Sequence, residues 1–276
     1  MMNGLSFDVE DWFQVENLKT ACPFHAWDSY ESRVERNTRI LLDLLDEKRY
    51  KATFFVLGWI AERFPGLIKE IAGRGHEIAS HGYDHQIVYN MSLDQFAQDI
   101  KRSKCLLEDI SQQPVVGYRA PNFSITKKSR WALDILFESG FKYDSSVFPT
   151  SFHDRYGFSG INNSDAFRFE NSLVEFPITV YKLGNVKLPL GGGAYFRIVP
   201  YPFFRFFLKQ VNDKNKPFVF YLHPWEIDRS QPRMKISFSS YLRHYTNLCH
   251  TEKKLHRLFD DFRFTTLNSF ITDNYI

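Results

Sequence analysis

Short, almost wholly apolar runs alternate along this chain with stretches in which apolar residues return every three or four positions. The first pattern fits a strand buried on both faces and the second a helix with one buried side. Gly4-Leu5-Ser6-Phe7 leads into Asp8-Val9-Glu10-Asp11-Trp12, a strand that ends in acids. Ile40, Leu41, Leu44 and Leu45 predict a helix over 37–47, residues 51–58 a buried strand, and 65–72 a second helix stopped by Gly73 and Gly75. A strand over 76–80 delivers Ser80-His81-Gly82-Tyr83-Asp84-His85. Ser92 is placed to cap a helix over 92–111 that turns Phe96, Ile100, Leu107 and Ile110 to one side. Strands over 115–118, 141–143, 173–178, 217–222 and 262–267, with helices over 127–138, 199–211 and 239–259, complete the pattern. Such alternation implies an α/β fold of parallel strands joined by crossovers, with active-site groups on the loops after the strands.

Three segments escape the alternation. Residues 12–35 are irregular and aromatic, too long for a tight connection, and so are expected to cover something. Residues 150–170 read as a loop rich in Ser, Asn and Asp. Gly191-Gly192-Gly193 has no Lys-Ser/Thr behind it, so it is read as a flexible segment for close backbone packing or substrate contact and not as a phosphate loop.

Composition narrows the partners. The 276 residues suit one barrel, and we expect a single domain over 1–276 with no internal repeat. The 28 Phe supply a core and could also line a groove for a sugar ring. A net charge of +3 arises from 35 basic and 32 acidic residues without a basic run, which excludes a nucleic-acid arm. Cys22, Cys105 and Cys249 are odd in number and widely spaced, which argues against disulfides and thiolate zinc sites and for a reducing, cytoplasmic location. The first eleven residues read as a strand and not as a leader, and no run approaches the ~18 apolar residues of a membrane span.

The chemistry collects at predicted strand ends. Asp8 and Glu10 project to the same side of their strand, where like charges need a cation or a proton between them. His81 and His85 are four apart on one loop, Arg119 stands at a strand end braced by Pro121, Asp144 ends another strand, and His223 another. Two imidazoles and a carboxylate can form an open metal site, a spare carboxylate can serve as general base and a separate His as general acid. Amide hydrolysis needs that inventory.

These motifs, in this order from the first strand to Glu226, resemble the polysaccharide deacetylase (NodB-homology, carbohydrate esterase family 4) superfamily. The likeness is greatest to its intracellular, exopolysaccharide-associated and allantoinase-like members. The resemblance implies a distorted (β/α) barrel of about seven parallel strands and removal of acetyl from an N-acetylated sugar of a glycan or glycan precursor. It implies Asp8 as catalytic base, His81 and His85 as ligands of one divalent ion, expected to be zinc, and Arg119 of Arg119-Ala120-Pro121-Asn122-Phe123 as the residue orienting the base. It further implies Asp144 as the acid steadying His223, the general acid. Three positions depart from the family pattern. Val9 stands where a second aspartate binds metal, which makes Glu10 the third ligand with Asp11 as the alternative; Gly82 replaces a hydroxyl residue; and Asn122 replaces an aromatic, its backbone N–H still able to face an oxyanion. Asn122, Phe123, Tyr195 and Trp225 are the expected substrate contacts, with Trp12 a further aromatic candidate. A metal-free hydrolase of small cyclic amides or ureides, and a non-catalytic sugar-binding protein, are the alternatives.

Overall fold

A computed structural model describes residues 1–149, 165–184 and 186–274, so most of the loop expected over 150–170 lies outside the described residues. In chain order the elements are β1 (Met2–Val9), α1 (Val34–Lys48), β2 (Thr53–Val56), α2 (Gly58–Arg63), α3 (Pro65–Gly73), β3 (Glu77–Ser80) and α4 (Leu93–Ser111). They continue as β4 (Gly117–Tyr118), α5 (Trp131–Glu138), β5 (Tyr143–Asp144), β6 (Phe167–Arg168), β7 (Val174–Glu175), β8 (Val180–Leu183), β9 (Val186–Pro189), α6 (Gly193–Ile198) and α7 (Tyr201–Asn212). The last are β10 (Val219–Leu222), α8 (Phe238–Tyr245), α9 (Leu248–Asp261), β11 (Arg263–Thr265) and α10 (Leu267–Asn274).

The fold is a distorted, open (β/α) barrel. Its sheet runs β10-β1-β2-β3-β4-β5-β7-β6, with β11 also beside β1, and every pairing is parallel except β6 with β7. β2 and β10 are buried along their whole length, which is why their sequences are apolar runs, whereas β1, equally buried, alternates apolar Leu5, Phe7 and Val9 with the polar Ser6 and Asp8. The helices cover the sheet with the predicted stripes: Phe96, Ile100 and Leu107 of α4 are fully buried, and Ser92 and Gln95 form a capping box at its start. Ile40 is the exception on α1, pointing outward while Leu41, Leu42, Leu44 and Leu45 are buried.

Between β7 and β10 no described strand pairing closes the circle. There Thr179 Oγ1 accepts from Val219 N at 2.8 Å and donates to Val219 O at 3.0 Å, and Tyr221 N donates to Gly191 O at 2.7 Å. The glycine run is therefore not a flexible loop; it is a close backbone approach that continues into α6. A Cβ on Gly192, whose φ is 129°, would lie 1.8 Å from Tyr221 O. Gly192→Ala is expected to lower stability by at least about 2 kcal/mol, measured by thermal unfolding; an unchanged midpoint would mean that the seam can part without cost.

Helix 239–259 divides into α8 and α9 at Asn247, whose φ of 58° breaks the helical run, while α2, α10 and the β8–β9 hairpin are additions to the expected elements. The register carries the functional consequence. Phe7 pairs with Leu222, Val9 with Val56, Val56 with Ser80, Ser80 with Tyr118, and Tyr118 with Asp144. Strand ends are thus level, and the residues just beyond them share one rim.

Candidate active site

Asp8, Glu10, His81, His85 and His223 line one cleft of about 550 Å³ on that rim. Arg119 lies beneath it, wholly buried on the ring of Phe55 at 4.1 Å. Its Nη1 donates to Asp8 Oδ1 at 2.6 Å and Ser6 Oγ at 2.8 Å, its Nε to Ser145 O at 3.1 Å and its Nη2 to Ser145 Oγ at 2.9 Å. With its donors so occupied, the guanidinium fixes one oxygen of Asp8 and leaves Oδ2 facing the cleft.

Glu10 Oε1 accepts from Trp225 Nε1 at 3.1 Å, and Oε2 lies 2.8 Å from His85 Nε2, buried and without a well-aligned hydrogen-bond donor among the described residues. Burial opposes the charge of Glu10, but the imidazoles of His85, His223 and His81 outweigh it and hold its pKa at about 2. His81 lies 2.7 Å from Arg119 O through Nδ1; since a carbonyl only accepts, Nδ1 carries the proton and Nε2 offers a lone pair. Burial is also what lowers the His81 pKa to about 4, against the pull of Asp8, so its ring is neutral near pH 7. Ligand atoms of Glu10, His81 and His85 lie within 4.8 Å of one another. The donor set fits a divalent cation: one anionic oxygen left without an N–H or O–H donor, and a neutral imidazole held in the metal-binding tautomer. The loop does without the hydroxyl missing at Gly82: Ser80 Oγ accepts from Gly82 N at 3.2 Å and Asp99 from Tyr83 N at 3.2 Å, with Gly82 at φ 74°.

Asp11, the alternative ligand, is turned away. Its carboxylate accepts from Trp12 N, Ser32 Oγ, Arg33 N and Val34 N at 2.6–3.2 Å, holding the start of α1.

His223 Nε2 stands 3.5 Å from Glu10 Oε1 and 3.8 Å from Asp8 Oδ2. Its Nδ1 is 2.7 Å from Glu226 Oε1, and Glu226 Oε2 in turn accepts from Arg197 Nε at 2.5 Å. Burial works against a charged His223, but the carboxylates of Glu10, Glu226 and Asp8 prevail and raise its pKa to about 9.

Two expectations are corrected here. Asp144 does not steady His223: Ser146 bonds both of its oxygens, through its N–H to Oδ2 at 3.2 Å and its hydroxyl to Oδ1 at 2.5 Å, and burial raises its pKa to about 6. Glu226 fills the role instead, three residues after His223 on the turn that follows, with its Oε1 also accepting from His223 N at 3.2 Å. That spacing, His-x-x-Glu with Pro224 opening the turn, is the sequence signal for it. Trp225 does line the cleft, but with only an edge and not as an open stacking platform. It is sandwiched between His223 (5.3 Å) and His244 (4.3 Å), and its polar edge goes to Glu10. Trp12 likewise is buried against Phe13 and Tyr30, outside the cleft.

Asn122, Phe123 and Tyr195 do line the cleft. Asn122 and Phe123 both have positive φ (53° and 52°), a strained conformation at Phe123, and Asn122 Nδ2 is buried without a partner among the described residues.

Comparison with known proteins completes the picture. The family description Polysaccharide deacetylase matches residues 24–136, and Domain of unknown function (DUF3473) matches residues 145–272. A peptidoglycan-N-acetylglucosamine deacetylase of Bacillus cereus is 33% identical over 95 residues, 34% of this chain and 34% of the relative, so only about a third of that relative is spanned. A candidate polysaccharide deacetylase structure from Mycobacterium smegmatis superposes with a TM-score of 0.63 at 22% identity, over 98% of this chain and 88% of that one. The Puue allantoinase structure gives 0.60 at 14% identity, over 99% and 91%. At these identities the structural likenesses establish the fold alone.

Proposed function

We propose that this chain, whose residues 24–136 match the Polysaccharide deacetylase family, is a member of that superfamily and a metal-dependent hydrolase removing acetyl from an N-acetylated sugar of a polysaccharide or its precursor. One observation carries the reading: a carboxylate held by arginine, Asp8, and an imidazole held by a carboxylate, His223, face each other across 3.8 Å beside the Glu10, His81 and His85 cluster. A base and an acid on opposite sides of one reacting carbon are what amide hydrolysis requires.

Glu10, His81 and His85 would hold a divalent cation, zinc in our reading, which when bound supplies polarisation of the acetamide carbonyl and a lowered pKa for water. Asp8, fixed by Arg119, takes the proton of the attacking water. The backbone N–H of Asn122 is assigned to the oxyanion developing at the carbonyl. His223, charged near neutral pH, gives its Nε2 proton to the sugar nitrogen as the C–N bond breaks, so a neutral amine departs and acetate remains. Phe123 and Tyr195 offer apolar surface to the ring. We also take residues 1–276 as one domain, since β1 of the first part lies between β2 and β10, and a cytoplasmic setting fits three cysteines that are all unpaired. No helix among the described residues is long and apolar enough to cross a membrane.

The test is acetate release from N-acetylglucosamine oligomers. It is expected to vanish after chelation and return with zinc. Chelator-insensitive opening of allantoin without acetate release would transfer the chain to small cyclic amides, and sugar binding without either product would make it a binding protein.

A further inference from the structure

The outer face of α7 departs from what a helix on a water-soluble surface carries. Tyr201, Phe204 and Leu208 point into the core, as expected, but the opposite side presents Phe203 and Phe206, which are 62% and 56% exposed, next to Lys209. Polar residues ordinarily occupy that side. The β8–β9 hairpin leans on α7 through Tyr181, whose ring is 5.1 Å from Phe207, and beyond that contact its cross-strand pair Leu183 and Val186 stays exposed at the tip. Single exposed apolar residues are commonplace; four on two elements packed together are a patch.

The segment that carries the patch bears charge of one sign, with Asp213 the first acid after it. From 176 to 212 the sequence contains no Asp or Glu, and it holds Lys182, Lys187, Arg197, Arg205 and Lys209. Arg197 is buried on Glu226 and Arg205 is paired with Asp261, whereas the three lysines have no ion-pair partner among the described residues. Lys182 and Lys187 pair across the hairpin on the face opposite Leu183 and Val186, so they flank the apolar tip as Lys209 flanks Phe206, and an apolar tip flanked by lysine suits the headgroup region of an anionic bilayer.

We propose that the outer face of α7 and the tip of the β8–β9 hairpin dock this protein on an anionic lipid surface. A second copy of the chain is the poorer occupant: a two-fold contact through this face would set Lys182, Lys187 and Lys209 against their own images with no acid in the segment to offset them. Ile198, three residues before α7 and half exposed, is also on the wall of the catalytic cleft. Docking here would thus hold the cleft close to glycans carried at a lipid surface.

The experiment is co-sedimentation of the full chain with phosphatidylcholine vesicles, with and without phosphatidylglycerol, alongside light scattering without lipid. Wild type is expected to partition at least roughly ten-fold more strongly to the anionic vesicles, as three lysines near such a surface imply. The double variant Phe203→Ser/Phe206→Ser and the triple variant Lys182→Glu/Lys187→Glu/Lys209→Glu should both lose that binding while keeping their circular dichroism melts and acetate release in solution. Equal partition of wild type to both vesicles, or binding that survives both variants, would overturn the proposal. A dimer dissolved by Phe203→Ser/Phe206→Ser, with no vesicle binding, would assign the face to a second copy instead. Because vesicle binding is read without turnover, an inactive but lipid-bound wild type would refute the deacetylase reading and leave this one standing.

Discussion

Glu10→Ala protein incubated with zinc should hold far less than one ion per chain, while Asp11→Ala protein should hold as much as wild type and melt several degrees lower. The two acids are neighbours in sequence but face opposite tasks. Glu10 places a buried oxygen 2.8 Å from His85 Nε2 within the cluster that includes His81, so its loss removes the single anionic donor of a three-residue site. Loss of an outer-sphere partner alone costs about 10–100-fold in metal affinity, and loss of a ligand should exceed that. Glu10→Gln separates charge from shape: its amide oxygen can still accept from Trp225 Nε1, so a folded variant with weak metal binding would isolate the carboxylate's role. Asp11 instead accepts four hydrogen bonds at the start of α1. A helix-start acceptor is worth about 0.5–2 kcal/mol, and a chain of this size shifts roughly 2–4 °C per kcal/mol. Elemental analysis and thermal melts of the purified variants decide the matter; metal lost with Asp11→Ala and kept with Glu10→Ala would reverse the assignment.

How far the sequence led is visible in those same residues. Apolar runs located the strands of the sheet because strands buried on both faces need them, and parallel order then required Asp8, His81, Arg119 and His223 to emerge on one rim. Short-range signals were also readable, such as the Ser92 cap. Long-range partners were not. Whether Glu10 or Asp11 enters the cleft depends on where the 12–35 segment brings Ser32 and Arg33, which no local pattern encodes. The resemblance sets Asp144 beside the general acid, yet here both of its oxygens are occupied by Ser146. The three glycines looked mobile because their fixed partner, the Tyr221 backbone, lies some thirty residues on.

Glu226→Gln should lower kcat by roughly 10–100-fold and draw the alkaline limb of the rate profile to lower pH, whereas Asp144→Asn should leave that limb in place. The sign follows from the proton each step needs. His223 must be charged to protonate the leaving nitrogen, so activity falls as pH rises through its pKa, raised to about 9 by Glu10, Glu226 and Asp8 against the effect of burial. A cation shared by Glu10 would draw on that acid's charge, leaving Glu226 the principal support. Replacing Glu226 with the neutral amide removes that charge, lowers the His223 pKa and deprotonates the acid sooner. The same change leaves Arg197 buried without its carboxylate, although it keeps the carbonyls of Arg243, His244 and Thr246. A melt alone therefore would not distinguish positioning from packing, but the pH profile does: a structural defect reduces the rate at every pH, and only a changed His223 moves the limb. An alkaline limb unmoved in Glu226→Gln and shifted in Asp144→Asn would restore Asp144 to the general acid's side.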